Sequence, residues 1–469
     1  MIKSLLKILL ILPILTRIAF SQQQQEIVVT GSKQVHHTVN GIPIDTVFGP
    51  VVITQGNVII TCSKAVRYIA ENNAELIGNV VVKQDTLTIT TEHGFYYGDQ
   101  RKAESNSGVR LTDSKVVLTA DSGKYFFDLD KAVFKSNVVL IDSSSRLTSD
   151  NLIYFKNEGK TIASNNVKII ETDNIIKADS LIHFRDSRIS YAFNNVQISN
   201  SKNNTKIFGD HLEDYPNTSY TLIDKNPILT QIDSSYIVKP DTNTAGKIDS
   251  LRILQLDTLV IKSNRMEAYR DSLNIFKAED SVKIVRSSFA SKNDFTIYYR
   301  KEGKIITYKV NNNASQPVLW YQDSQLTGDS IVISIVGNKI KKMIINKNGF
   351  IVSHNELFPL RFSQISGDKL IIYLDDSGIN ETDVYGNVYS IYYLYDDNSP
   401  NGLVKTSSQS AKIYFVNKQV NNVKLYETPV SEYYPEIKVK NNELSFTLPG
   451  FVLFNDKPVK EKLLSRLIN

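Results

Sequence analysis

The chain has 469 residues, of which 41% are hydrophobic and 22% charged, so it has the material for a sizeable core, and wholesale disorder is excluded. Loss of Lys3, Lys7 and Arg17 with a leader takes the formal charge from +5 to +2, too little for a broad phosphate-binding field, so no nucleic-acid partner is expected. The single cysteine, Cys62, rules out an internal disulfide, and 24 Tyr and 20 Phe beside many Val, Ile and Thr favour sheet over helix.

In chain order, residues 1–21 read as a signal peptide. Lys3 and Lys7 form a basic start, Ile8 to Leu15 is an apolar run too short to span a bilayer, and Ala19-Phe20-Ser21 is a small-x-small cleavage site. Residues 22–47 are polar and are expected to be a flexible N-terminal segment. From there an internal repeat takes over. Val51, Val80, Val109, Val138, Val167 and Val196 recur at one constant interval, without slippage. Two residues after each comes another apolar side chain: Ile53, Val82, Leu111, Leu140, Ile169 and Ile198.

Apolar residues at i and i+2 share one face of a strand, so each pair predicts a half-buried strand. The residue before the Val is Asn79, Gly108, Asn137, Asn166 or Asn195, which suits a turn because Asn and Gly tolerate positive φ. Nine residues after the Val comes Ile60, Ile89, Leu118, Leu147 or Ile176, and in the last copy Ile207 fits only after a two-residue insertion. Sixteen residues after it stands Tyr96, Tyr125, Tyr154 or His183, expected as a stacked aromatic ladder. Polar breaks at 83–85, 112–114, 141–143 and 171–173, and again at 98–100, 128–130, 157–159 and 186–187, mark two turns per repeat. One repeat cannot bury its own apolar face, so neighbours must stack. A layer gaining one strand per repeat would be roughly 29 Å long after six repeats.

Residues 48–224 thus form a first β-rich domain. Residues 225–257, with Pro227, Pro240 and Gly246, are expected as a connection. A second β-rich region covers 258–457, with echoes of the motif at Asp280-Ser281-Val282, Gly386-Asn387-Val388 and Asn422-Val423. Residues 458–469 are expected as a short basic helix or tail.

Catalytic and metal sites are not expected. His36-His37 has no Cys or third His nearby, Cys62 sits on a predicted strand as an inert thiol, and the recurring Asp-Ser pairs such as Asp121-Ser122 and Asp179-Ser180 are explained by turn chemistry. There is no Gly-x-Ser-x-Gly, P-loop or His-Glu-x-x-His pattern. The chain is therefore expected to be no enzyme and to need no cofactor.

The stretches Leu118-Thr-Ala-Asp-Ser-Gly-Lys-Tyr125 and Ile176-Lys-Ala-Asp-Ser-Leu-Ile-His183 carry the repeat consensus most clearly. With Gly78-Asn-Val-Val-Val-Lys-Gln-Asp, Val384-Tyr-Gly-Asn-Val388 and Leu448-Pro-Gly-Phe451, they resemble the OstA-like family of LptA, and in particular its long OstA-like branch. The resemblance covers about Phe48 to Lys457 and is firmest from Val51 to Ile198. It implies an all-β fold, a repeat-built, open, twisted β-jelly-roll (a β-taco), here as two consecutive OstA-like units. It further implies a periplasmic or outer-membrane-associated protein that binds and carries lipopolysaccharide (lipid A), bridging inner and outer membrane in outer-membrane biogenesis. The implied partners are LptC-like and LptD-like proteins and a second copy of the chain, docked through edge strands. The expected lipid-binding groove is Val80, Val82, Ile89, Val109, Leu111, Leu118, Val138, Leu140, Leu147, Val167, Ile169 and Ile176. The competing reading is a structural or adhesive β-solenoid at the cell surface, with no lipid ligand.

Overall fold

Alternating apolar and polar side chains favour strands with one dry face, and strands dominate the structure. It is a computed structural model that describes residues 27–467 except 172, 203, 243–247, 288, 338, 376–377, 397–398 and 417–418. The expected signal peptide lies outside these residues. Strand makes up 70% and helix 6%, so the all-β expectation holds. Two units are distinguished. One ends at Ser114 and also takes in Ser122–Leu129, and the other comprises Lys115–Asp121 and everything from Asp130 onward.

In the first unit, Ile42–Gln55, Val58–Tyr68, Asn73–Gln84 and Leu87–Tyr97 pair antiparallel in succession. Two short strands, Lys102–Ser105 and Val109–Thr112, share the far side of Leu87–Tyr97. On the near side, Val28–Thr30 and Lys33–Val39 pair with Ile42–Gln55. The segment expected to be flexible, 22–47, therefore contains strands over most of its described length.

The second unit continues the same scheme from Val117–Ala120 and Lys131–Ile141 through to Val430–Tyr434. Within the stretch expected as a connection, Ile228–Thr242 and Ile248–Lys262 form a long hairpin paired to the strands on either side. Pro240 is paired within that hairpin, where the sequence pointed to a turn.

The repeat differs from expectation at one point that sets the whole geometry. Ser136 and Asn137 have φ of 63° and 52°, yet Lys131–Ile141 runs on as one strand, so the chain bends there instead of reversing. Asn165-Asn166, Asn194-Asn195 and Gly78-Asn79 do the same. Against Arg146–Phe155 the ladder steps from Lys135↔Asn151 to Val138↔Ser149, so two residues face the single Asp150. This is a β-bulge, and such a bulge bends its strand. The expected half-repeat turns at 98–100, 157–159 and 186–187 are true hairpins. Each repeat therefore holds two strands, and each strand contributes an arm on either side of its bend. A layer gains two strands per repeat, about 10 Å at the inter-strand spacing, and not one.

Both arms put their dry faces into one core. On Lys131–Ile141 the buried side chains are Ala132 and Phe134 before the bend and Val138 and Leu140 after it. Later in the second unit, Phe276 and Ala278 on one arm share a cluster with Val282 and Ile284 on the other. The echoes at Asp280-Ser281 and Gly386-Asn387 are bends of the same kind, whereas at Asn422-Val423 the ladder skips Asn421, next to Asn422, with no positive φ at either asparagine.

After Tyr434 the chain leaves the sheet. The short helices Glu436–Val439 and Lys460–Leu464 flank a largely extended stretch, so helix lies within the expected 458–469 tail and also inside the region 258–457 expected as β-rich. This strap returns across the strands of the second unit. Its Leu463 packs on Ile228, Val260, Val285, Val318 and Trp320, and its Val439 and Leu448 pack on Phe350, Val352, Tyr393 and Leu403.

Candidate functional site: an apolar interior between bent arms

All twelve side chains expected to line a groove point inward and are buried, with exposures from 0% at Leu111 and Leu118 to 7% at Val109. In the first unit, direct pairing builds the row Ile53–Ile60–Val82–Ile89–Leu111, with Val80 and Val109 buried beside it. In the second unit the row runs Leu118–Leu140–Leu147–Ile169–Ile176–Ile198. The residue nine after the Val lands opposite the residue two after it because a two-strand hairpin joins them. Ile207 takes its place in the row opposite Ile198, since the insertion is absorbed in the turn between strands.

The row does not stop at the end of the regular repeat. It continues Ile207–Leu229–Ile261–Ile284 through residues whose sequence spacing has no constant period. Sequence reasoning missed these because strand lengths and turns vary while the pairing order persists. The signal available was the pairing rule itself: consecutive strands in a meander stay neighbours.

The tyrosine column is also interior, with a geometry other than a ring-on-ring ladder. Tyr96 lies opposite Ala74 and Ala103, and Tyr154 opposite Ala132, so each large ring covers a small neighbour. Tyr96 and Tyr125 each meet Phe127 edge-on, with centroids 6.1 and 5.0 Å away. The Tyr96 hydroxyl donates to Gln55 Oε1, and burial pushes its pKa up to about 12. Tyr154 accepts a hydrogen bond of 2.6 Å from Arg185 Nη1. At the fourth copy His183 shares a hydrogen bond of 3.0 Å with Ser190, and burial holds its pKa below the usual histidine range.

The aspartates of the Asp-Ser pairs sit at the bends, and the turn reading is corrected there. Asp179 is within the strand Asn174–Phe184 and accepts from Asn195 at 2.8 Å. One position earlier, Ser149 donates to Asn151 O at 2.9 Å and Thr91 to His93 O at 3.2 Å, each spanning its own bend. Cys62, one repeat before Thr91, makes the same contact to Lys64 O at 3.2 Å. Burial raises its thiol pKa, as befits a structural group.

Among the described residues no group of His, Cys, Asp and Glu has the arrangement of a metal site. No helix there is long and apolar enough to cross a membrane. What the interior of each unit offers chemically is a hydrocarbon surface bounded by hairpins, and strand edges lie at either end of the pairing order. Lys33–Val39 pairs only with Ile42–Gln55, and Val430–Tyr434 only with Ser399–Val416, among the described residues.

Comparison with known proteins agrees with the repeat. Residues 32–179 match the family described as OstA-like protein, a span that holds most of the in-phase copies. Among solved structures the chain is similar to LptH from Pseudomonas aeruginosa, described as the LptA homologous periplasmic component of the conserved lipopolysaccharide transport device. Identity is 12%, the match covers 32% of this chain and 99% of that one, and the TM-score is 0.18. No curated protein matches. Over residues 32–179, this chain is similar to the OstA-like proteins.

Proposed function

We propose that this chain is a non-enzymatic carrier of lipopolysaccharide that works in the periplasm, in contact with the outer membrane. The observation that supports it is the inward-facing apolar row, built on repeated bent strands in an OstA-like region. Acyl chains gain about 0.8 kcal/mol per CH₂ on leaving water, and a row of near-equivalent positions lets a chain slide without a deep trap. The twelve residues from Val80 to Ile176 are the proposed lipid contacts. Because they are packed against one another, the two arms must part to admit a ligand. The singly paired edge strands offer backbone donors and acceptors for strand addition by LptC-like and LptD-like proteins, or by a second copy.

One observation favours the structural solenoid instead: the interior residues are as dry as an ordinary core. Mass spectrometry of the protein purified from its native host separates the two. Co-purifying lipid A species support the carrier. A lipid-free protein that also fails to take up added lipopolysaccharide leaves the solenoid.

A further inference from the structure

Resting on the carrier reading, we infer that the C-terminal strap divides the second unit into a part that can open for acyl chains and a part that is held shut. The strap crosses the outer face of the arm whose inner face carries the apolar row. It is fixed there by two side-chain amides used in the same way. Gln325 donates through Nε2 to Val452 O at 2.7 Å and accepts at Oε1 from Phe454 N at 2.9 Å. Gln364 donates to Phe446 O at 3.0 Å and accepts from Leu448 N at 2.8 Å. Each amide thus satisfies the backbone of residues i and i+2, the pattern one strand uses on another. Both glutamines are buried, Gln364 at 1% exposure, and Gln364 Nε2 also donates to Phe362 O at 3.1 Å, which fixes the amide under the strap.

Ion pairs fix the strap at its two ends. Arg361, 4% exposed at its side chain, pairs with Glu436 and Glu443, and Arg466 pairs with Asp210. Lys292 holds Asp456 between them. These contacts span the strands from Thr205–Tyr215 to Ser399–Val416.

Burial on the sheet follows the strap. On Lys131–Ile141 and Lys160–Ile170 the arm beyond the bend alternates, with Val138, Leu140, Val167 and Ile169 buried and Ile141 and Ile170 exposed on the outside. Under the strap the alternation disappears. Val318, Leu319 and Trp320 are all buried, as are Phe350, Ile351 and Val352. An arm with a free outer face can change its curvature at no cost in outer contacts. An arm clamped at five places along its outer face cannot change twist or curvature without breaking them. Parting the arms is therefore cheap over residues 131–200 and costly over residues 228–410.

The test uses the full-length wild-type protein and lipid A that carries a diazirine in one acyl chain, with cross-linked peptides mapped by mass spectrometry. Cross-links within 131–200 at no less than tenfold the yield of those within 318–374 are expected. The double variant Gln325→Ala/Gln364→Ala should raise the yield in 318–374 severalfold. Comparable yields in both stretches of the wild type would overturn the division. A wild-type bias that the double variant leaves unchanged, with its fold verified by circular dichroism, would overturn the strap as its cause. Absence of cross-links anywhere in the chain would overturn the carrier reading itself, a different result from either.

Discussion

Asn137 Nδ2 donates a 2.7 Å hydrogen bond to Asp121 Oδ2, and in the next two repeats the same bond joins Asn166 to Asp150, then Asn195 to Asp179. The bend needs a residue that accepts positive φ, and the neighbouring strand needs a carboxylate to receive its amide. Asn does both. A side chain with a branched Cβ does neither, and the left-handed region costs an ordinary residue roughly 1–2 kcal/mol. Asn137→Val is therefore expected to lower the thermal midpoint clearly, and Asn137→Gly, which keeps the conformation and loses only an exposed bond, by much less. Equal midpoints for the two variants in a melting experiment would show that the bend is set elsewhere.

Cys62 stands where the next copy has Thr91 and, three copies on, Ser149, and its Sγ reaches the carbonyl two residues ahead as their hydroxyls do. Cys62→Ser should thus keep the contact and leave stability within about 0.5 kcal/mol, the range of a tolerated substitution. The native thiol should resist a thiol reagent at pH 8, since burial raises its pKa, and should react fully once the protein is unfolded. Rapid labelling of the native protein would contradict its assignment as a bend donor.

His183 gives the pH dependence. Burial lowers its folded-state pKa below the unfolded value of 6.5, with nearby Asp142 opposing that shift and Arg185 adding to it. Below that value the unfolded chain takes up a proton that the folded chain does not, so stability is full above about pH 6.5 and falls as the pH drops toward the folded pKa. His183→Gln can still bond Ser190 and cannot titrate. Its midpoint should decline less than the wild type's between pH 7 and 5, and identical slopes would remove His183 from the account.

The spacing made most of the inner face legible in the sequence, because pairing two strands per repeat stacks equivalent side chains in register. Two things hid from it for physical reasons. Asn and Gly before the Val signal positive φ, and positive φ serves a chain reversal and a mid-strand bend equally, so the bend at Ser136-Asn137 looked like a turn. The strap has no period at all. Its Leu448, Phe451 and Phe454 face the sheet from an extended, non-repeating path, and Gln325 and Gln364 are indistinguishable from surface glutamines until the segment they hold is in place. Residues 225–257 misled for the opposite reason, since their prolines and glycine suggest a break while the backbone there pairs on both sides.

Leu140 and Ile345 separate structure from function most directly. Leu140 is 4% exposed and lies opposite Leu118 and Leu147, while Ile345 is fully buried opposite Ile331 and Leu370 on the arm that shares its core with the strapped one, whose Leu326 and Ile351 belong to the same cluster. Truncating either to Ala removes similar packing, so each should cost about 2–5 kcal/mol. A repeat protein can unfold in stages, so the cost is best read as lost hydrogen-exchange protection in the strand that carries the change. Binding of lipopolysaccharide should respond differently. In the part free to open, Leu140→Ala removes a contact to the acyl chain and should weaken binding severalfold. Ile345→Ala, in the part held shut, should leave binding at the wild-type level despite its equal structural cost. If both variants lose binding in proportion to lost protection, the interior contributes only stability, and Leu140 should be struck from the proposed lipid contacts.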